Sequence, residues 1–240
     1  MTASASPPTV YLIPTFLDEQ ALSALPAYIL DAVKACSVFF VENERSARRF
    51  LKSIWKEMVI DQYEWHSIHK LEEDPAVTAA FRAALSRGAT IGILSEAGCP
   101  GIADPGQLLT GIAHETGAHV RPLVGPSSIL LALMASGLNG QQFKFNGYLP
   151  VDNAARTRAL KDLEAESARL SCTQLFIETP YRNNQLLTTL LNTCRPTTRL
   201  TIAANLTGPG EYIRTLPVGR WREMPPPDLH KQPAIFCLLA

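Results

Sequence analysis

A chain of 240 residues, 46% hydrophobic and 18% charged, can hold one large or two small domains with a substantial core. Its 22 Lys+Arg balance 22 Asp+Glu, so no global field attracts polyanions and any nucleic-acid contact must use a local patch. The five cysteines (Cys36, Cys99, Cys172, Cys194, Cys237) stand singly, which argues against a disulfide framework and for reduced thiols in a cytoplasmic protein. Residues 1–9 read as a flexible lead-in and not as a signal peptide, and no apolar run is long enough to span a bilayer. An α/β alternation follows, strand Val10–Ile13, helix Leu17–Lys34, strand Ser37–Glu42, helix Arg45–Trp55. Met58–Trp65 is a weaker extended stretch before helix Pro75–Arg87, strand Thr90–Leu94, helix Pro105–Thr116 and strand His119–Leu123. Strands separated by single helices predict βαβ units and a parallel sheet.

The second half carries helix Ser127–Ser136 ending at Gly137, strand Phe143–Gly147, helix Asn153–Ala168, strand Thr173–Glu178, helix Asn183–Thr193 and strand Arg199–Ala204. Glu211–Thr215 and Pro217–Trp221 read as a hairpin or meander, and Ala234–Leu239 as a last strand. Consecutive short strands predict a mixed sheet here. The expected domains are therefore 10–123 and 124–240.

Three strand-to-helix turns could carry chemistry. Ser95–Gly106 is dense in glycine and proline and follows an apolar strand, at the sheet edge where open parallel sheets bind ligands. It closes on Asp104-Pro105, which predicts a helix N-cap and first helical residue. Gly125-Pro-Ser-Ser128 offers free N–H and hydroxyl groups at a helix start, and Pro14 ends the first strand. His66 and His69 lie three apart but have no Cys or carboxylate cluster beside them, so no metal site is expected. The basic run Arg45, Arg48, Arg49 and Lys52 is the best local candidate for RNA contact, although such a run is more often one polar helix face.

Taken together and in order, Ile13-Pro-Thr15, Glu42-x-x-Arg45, Ser95-Glu-Ala-Gly-Cys-Pro100 to Asp104-Pro-Gly106, Val124-Gly-Pro-Ser127, Gly147-Tyr-Leu-Pro150 and Phe176-x-Glu-x-x-x-Arg182 carry a resemblance. The chain resembles the tetrapyrrole methylase family of S-adenosylmethionine-dependent enzymes. Within that family it is most similar to the branch that methylates a cytidine ribose 2′-hydroxyl in bacterial 16S (small-subunit) ribosomal RNA. The resemblance implies a two-domain α/β protein, usually a homodimer, that binds the cofactor between its halves. Carried over by position, it implies cofactor contacts from Pro14, Ala97, Gly98, Cys99, Pro100, Gly101, Ile102, Ser127 and Ser128. The second half would add Glu178, Thr179, Ala204, Asn205, Leu206, Pro233 and Ala234.

Methyl transfer to an alcohol needs alignment and a base. Glu42 or Glu178 is the expected base, with Arg45 and Arg182 as the phosphate holders. The sequence departs from the branch at Phe16–Glu19, at Glu96 where the branch has Asp, and at Asn205 where it has Glu. It also ends after the last strand, where the branch carries a helical extension. Four readings stay open: a ribosomal-RNA 2′-O-methyltransferase, a methylase of a tetrapyrrole or other small molecule, a non-catalytic S-adenosylmethionine-binding protein, and a dinucleotide oxidoreductase. The absence of G-x-G-x-x-G after the first strand argues against the last.

Overall fold

The computed structural model describes residues 7–68 and 74–240, which form two compact units that divide between Pro126 and Ser127. The division falls just beyond the boundary expected at 123/124 because residues 123–126 are tied to the first unit. Leu123 N donates to Leu12 O at 3.1 Å, Val124 N donates to the Tyr28 hydroxyl at 2.6 Å, and Gly125 lies against Pro14.

The first unit runs β1 (Thr9–Ile13), α1 (Ile29–Ala35), β2 (Val38–Val41), α2 (Glu44–Ile54), β3 (Glu64–Ser67), α3 (Pro75–Ser86), β4 (Ile91–Leu94), α4 (Gln107–Glu115) and β5 (His119–Pro122). Its sheet has the order β3-β2-β4-β1-β5, and every pairing is parallel. The central strands β2 and β4 are buried along their whole length, as continuous apolar runs covered on both faces must be. Phe40, Phe81, Ile91 and Ile93 belong to one core cluster, and Ile13, Phe39, Phe50 and Leu51 to the other. Each parallel crossover returns the chain to the same end of the sheet. The C-terminal ends of β2, β4, β1 and β5 therefore form one row.

The second unit runs α5 (Ser128–Ser136), β6 (Phe143–Tyr148), α6 (Asn153–Leu170), β7 (Thr173–Ile177), α7 (Asn183–Thr193), β8 (Arg199–Ala204), β9 (Tyr212–Pro217), α8 (Val218–Arg222) and β10 (Ala234–Leu239). The sheet order is β6-β7-β10-β8-β9, with β6 and β7 parallel and the remaining pairs antiparallel. The α/β class, the parallel first sheet and the mixed second sheet are those expected. Because β10 lies antiparallel between β7 and β8, its start meets both of their ends, with Ile235 beside Ile177 and Ala234 beside Ala204. Hydroxyls fix α5 to this sheet. Thr201 and Thr215 share a bond at 2.8 Å, and Thr215 Oγ1 donates to Ser136 O at 2.8 Å.

Three local expectations are corrected. Residues 17–34 are not one helix: Asp18 caps a turn by accepting from Gln20 N at 2.8 Å, and Pro26 pushes the residue before it out of helical geometry. Only a short 3-10 turn (Leu22–Ala24) and α1 remain of it. Asp104-Pro105 does not begin α4, because Gly106 is its N-cap at φ 122°. Pro217–Trp221 is not a strand, and the hairpin is β8–β9. Val218 N and Gly219 N donate back to Thr198 O and Pro196 O, winding the segment into α8. There Trp221 is fully buried and Arg222 caps the α7 C-terminus through Leu191 O and Cys194 O at 2.6 and 2.7 Å.

Candidate functional site

Four sequence-predicted segments meet along the C-terminal row of the first sheet. Pro14 and Thr15 follow β1, the 95–106 loop follows β4, Gly125 follows β5, and Glu42 follows β2. The loop is locked to β1 from both sides. Thr15 N donates to Gly98 O at 2.9 Å, and the buried Thr15 Oγ1 donates to Ser95 O at 3.4 Å.

Two glycines in this row are required by space. Gly98 has φ +77°, and a Cβ there would also press on Pro126 O at 3.2 Å and Leu17 Cδ2 at 3.3 Å. Gly125 lets the chain pass directly over Pro14; a Cβ would stand 2.1 Å from the proline Cβ and 2.3 Å from its Cγ. Cys99 links the same two loops, its thiol donating to Pro126 O at 3.5 Å. Burial pushes that thiol up, so it packs as a small neutral group and not as a nucleophile. Within this framework Ala97, Gly98 and Cys99 donate their N–H groups to no backbone acceptor among the described residues. A loop with free, fixed N–H groups and no side chain in the way is suited to a polar ligand held by the backbone.

Glu42 lies one residue before the α2 N-cap, Asn43, whose side chain accepts from Arg45 N at 3.0 Å and Ser46 N at 3.2 Å. The cap turns the chain so that Glu42 Oε2 accepts from Glu96 N at 3.1 Å, joining the β2 end to the β4 loop. Arg45 is exposed on the first turn of α2 and makes no ion pair among the described residues. The rest of the basic run is occupied. Arg48 pairs with Glu44 at 2.7 Å and lies over the Trp65 ring, and Arg49 pairs with Glu19 at 2.6 Å.

A pocket of about 230 Å³ opens beside this row. Its lining includes Phe16, Glu19, Ser46, Arg49, Phe50 and Glu96. Sequence reasoning did not bring these residues together, because the pocket joins the β1, β4 and α2 segments through loops that have no shared motif. The only signal was the set of departures at Phe16–Glu19 and Glu96.

In the second unit the remaining predicted residues also converge. Glu178 and Thr179 follow β7, Ala204–Leu206 end β8, and Pro233 and Ala234 begin β10. Asn205 takes φ 50°, a left-handed conformation that Asn tolerates. Its N–H donates to Pro233 O at 3.0 Å, and its Nδ2 to Gln232 Oε1 at 2.8 Å. The Glu178 side chain is wholly buried, accepting from Thr179 N at 2.6 Å and Arg182 Nη2 at 2.8 Å. Burial works to raise the Glu178 carboxyl, but the Arg182 guanidinium and the Thr179 N–H outweigh it and hold the group below the usual carboxylate range. A group depressed in the folded state stabilises the fold above its unfolded value of about 4.3, and that stabilisation is lost as pH falls through the folded value. Glu178→Gln is therefore expected to cost about 1–2 kcal/mol at pH 7 and progressively less below pH 4, read by urea denaturation at each pH. A difference independent of pH would contradict this assignment of the charge.

At the N-terminus of α5, Ser127 is the cap residue but makes no side-chain cap bond, which leaves the first-turn N–H groups of Ser128 and its neighbours without that partner. His66 is committed to the sheet, its ring stacked on Phe40 at 4.6 Å and its Nε2 2.6 Å from Glu64 Oε1; His69 lies outside the described residues. Among the described residues no group of three His, Cys, Asp or Glu side chains could hold a metal ion, and no helix is long and apolar enough to cross a membrane.

Comparison with known proteins agrees with this arrangement. The sequence model of the Tetrapyrrole (Corrin/Porphyrin) Methylases matches residues 22–220. The ribosomal RNA small subunit methyltransferase I of Vibrio cholerae is 30% identical over 88% of this chain and 69% of its own length. The protein of the same name from Mesorhizobium japonicum is 32% identical over 87% and 67%. Among solved structures, diphthine synthase superposes with a TM-score of 0.67 over 97% of this chain and 89% of its own, at 12% identity, and so shares the fold. With its family motifs at the strand ends and most of its length matched, this chain belongs to the tetrapyrrole methylase family of methyltransferases.

Proposed function

We propose that this chain transfers a methyl group from S-adenosylmethionine to a ribose 2′-hydroxyl of small-subunit ribosomal RNA. The observation that carries the reading is the loop 95–106, a rigid cradle with free backbone N–H groups at the sheet edge, in a chain whose relatives are named ribosomal RNA methyltransferases. The donor, when bound, supplies a methyl group on a sulfonium that a nucleophile displaces in line. Its zwitterionic tail and adenine are groups that backbone N–H and C=O atoms can hold. Pro14 and residues 97–102 are the proposed contacts from the first unit. Ser127, Ser128, Glu178, Thr179, residues 204–206, Pro233 and Ala234 are those from the second. The uncapped α5 N-terminus suits a carboxylate.

Glu42 is the proposed base, since it stands at the strand-end row with its carboxylate fixed by Glu96 N. Arg45, exposed one helical turn away and without an ion pair among the described residues, is the proposed holder of an RNA phosphate. Arg182 pairs with Glu178 through Oε1 alone, and Glu178 Oε2 and Arg182 Nε find no hydrogen-bond partner among the described residues; the pair is proposed to act in positioning at the second unit's edge. The same proposal includes a homodimer in the cytoplasm. Helix α5 leaves Leu130 and Met134 exposed, at 51% and 78%, with no charged residue on the helix. All five cysteines are free thiols, which suits a reducing compartment.

The test is tritium transfer from labelled S-adenosylmethionine to three acceptors: small ribosomal subunits lacking the modification, bare ribosomal RNA and a precorrin-like macrocycle. Label in the subunits is the expected result. Label only in the macrocycle, or in none, overturns the reading.

A further inference from the structure

Phosphate attraction alone gives this chain little hold on RNA. Its net charge is zero, and two of the four cations of the α2 run are matched by Glu44 and Glu19. We propose that the second unit supplies the missing affinity by stacking, with Tyr148 and Tyr181 as a platform for unpaired bases of single-stranded RNA. This rests on the reading of the acceptor as RNA.

Backbone devices present both rings to solvent. Strand β6 carries a bulge: its register against β7 shifts between Phe145 and Tyr148, and Gly147 takes φ +65°. A bulge re-aims the side chain beside it, and Tyr148 is 61% exposed although Leu149 next to it enters the core. Tyr181 stands in the turn between β7 and α7 and is 70% exposed. That turn is held from two sides. Arg182 N donates to Thr179 O at 2.9 Å, and Lys231 N, from a residue at φ 60°, donates to Pro180 O at 3.0 Å. The His230 ring meets the Tyr181 ring edge to face at 6.0 Å, and Asp228 fixes His230 by accepting from its N–H at 3.0 Å. A ring already ordered in this way loses little freedom when a base stacks on it.

The two tyrosines border one cation. Tyr148 lies beside Ile177, where β7 runs into the Glu178–Arg182 turn. The Arg182 guanidinium is held above its usual range first by its bond to Glu178 and also by the Tyr148 phenol near it. A guanidinium plane stacks on bases as aromatic rings do, so it extends the platform. Glu178 counters the Arg182 charge, and Asp228 stands three residues before Lys231, so the patch has little net field for phosphates. What it offers is flat ring surface. Base stacking is sequence-tolerant and needs no release of counterions, which is the contribution that a chain of zero net charge lacks.

The experiment needs neither donor nor transfer. Labelled oligouridylate is titrated into the protein by fluorescence anisotropy over a range of salt, beside an abasic ribose-phosphate chain of the same length. Uracil is used because it does not resemble the adenine of the donor. The wild type is expected to bind the oligouridylate at least about tenfold more tightly than the abasic chain. Tyr148→Ala and Tyr181→Ala are each expected to weaken oligouridylate by about five- to 150-fold, the worth of one stacked base, and to leave the abasic affinity unchanged. Phenylalanine at either position keeps the ring and is expected to bind like the wild type. In every tyrosine variant the slope of log affinity against log salt should stay that of the wild type. Equal binding of the two chains, alanine variants that bind like the wild type, phenylalanine variants that lose as much as alanine, or a changed salt slope overturns the assignment. So does a Tyr181→Ala protein whose only change is its mass in solution, which would give the patch to a second copy. A protein that shows the expected losses yet labels no ribosomal subunit keeps the platform and loses the proposed function. One that labels subunits while both alanine variants bind like the wild type does the reverse.

Discussion

Gly125→Ala is expected to lower the melting temperature and to impair donor binding together. The added Cβ would stand 2.1 and 2.3 Å from the Cβ and Cγ of Pro14, far inside contact distance, and the pyrrolidine ring cannot rotate away. The two segments cannot simply part. Leu123 N is bonded to Leu12 O on one side of the contact, and Thr15 N to Gly98 O on the other. Overpacking at such a point costs about 3 kcal/mol, which in a chain of this size lowers Tm by about 6–12 °C. Because Gly125 O and Pro126 O accept from the Cys99 thiol, the displacement also reaches the loop proposed to hold the donor. Calorimetry should then show donor affinity weakened by at least about tenfold, the worth of one good hydrogen bond to a charged group. Pro14→Gly removes both clashing atoms, so the double variant should recover much of the loss through their coupling. A Gly125→Ala protein that melts with the wild type would refute the packing account.

The second large effect concerns catalysis. Glu42→Gln preserves shape and can still accept from Glu96 N, but it cannot take a proton from an alcohol. Its kcat for methyl transfer is expected to fall by about 10²–10⁴-fold with donor affinity unchanged. Equal losses in donor affinity and turnover would instead make Glu42 a brace for the 95–106 loop. Full activity would remove it from the mechanism.

Much of this was readable in the sequence, for a physical reason. Strands β1, β2, β4, β7, β8 and β10 are short apolar runs bounded by turn residues, and turn chemistry is local. The Ser95–Gly106 and Gly125–Ser128 segments stand out because glycine and proline there answer steric demands close at hand, and the structure places Gly125 and Pro126 beside Gly98 and Cys99 at the strand ends. What could not be read depends on distant partners. The periodicity of 17–34 suggested one helix, but the Asp18 turn and Pro26 break it, and Phe16 is used instead to line a pocket with Phe50. Pro217–Trp221 looked like a strand until the Thr198 and Pro196 carbonyls captured its first N–H groups. The role of Arg49 was likewise hidden, because its partner Glu19 lies in a different loop, whereas Arg48 pairs with Glu44 one helical turn away. Asn205 marks the same limit from the other side. As a departure from the family pattern it looked like a lost acid, whereas in the fold it occupies a left-handed corner and ties β8 to Pro233 and Gln232.

The central claim is that the acceptor atom is a ribose oxygen, and alkali tests it directly. Hydroxide cleaves RNA through attack by the 2′-hydroxyl, so a methyl group on that oxygen protects the adjoining phosphodiester. Small ribosomal subunits labelled by the protein with tritiated S-adenosylmethionine are extracted, and their RNA is hydrolysed in alkali and separated by length. The account predicts that the tritium runs with an alkali-resistant dinucleotide. Tritium recovered in mononucleotides would mean that a base carries the methyl group, and would contradict it.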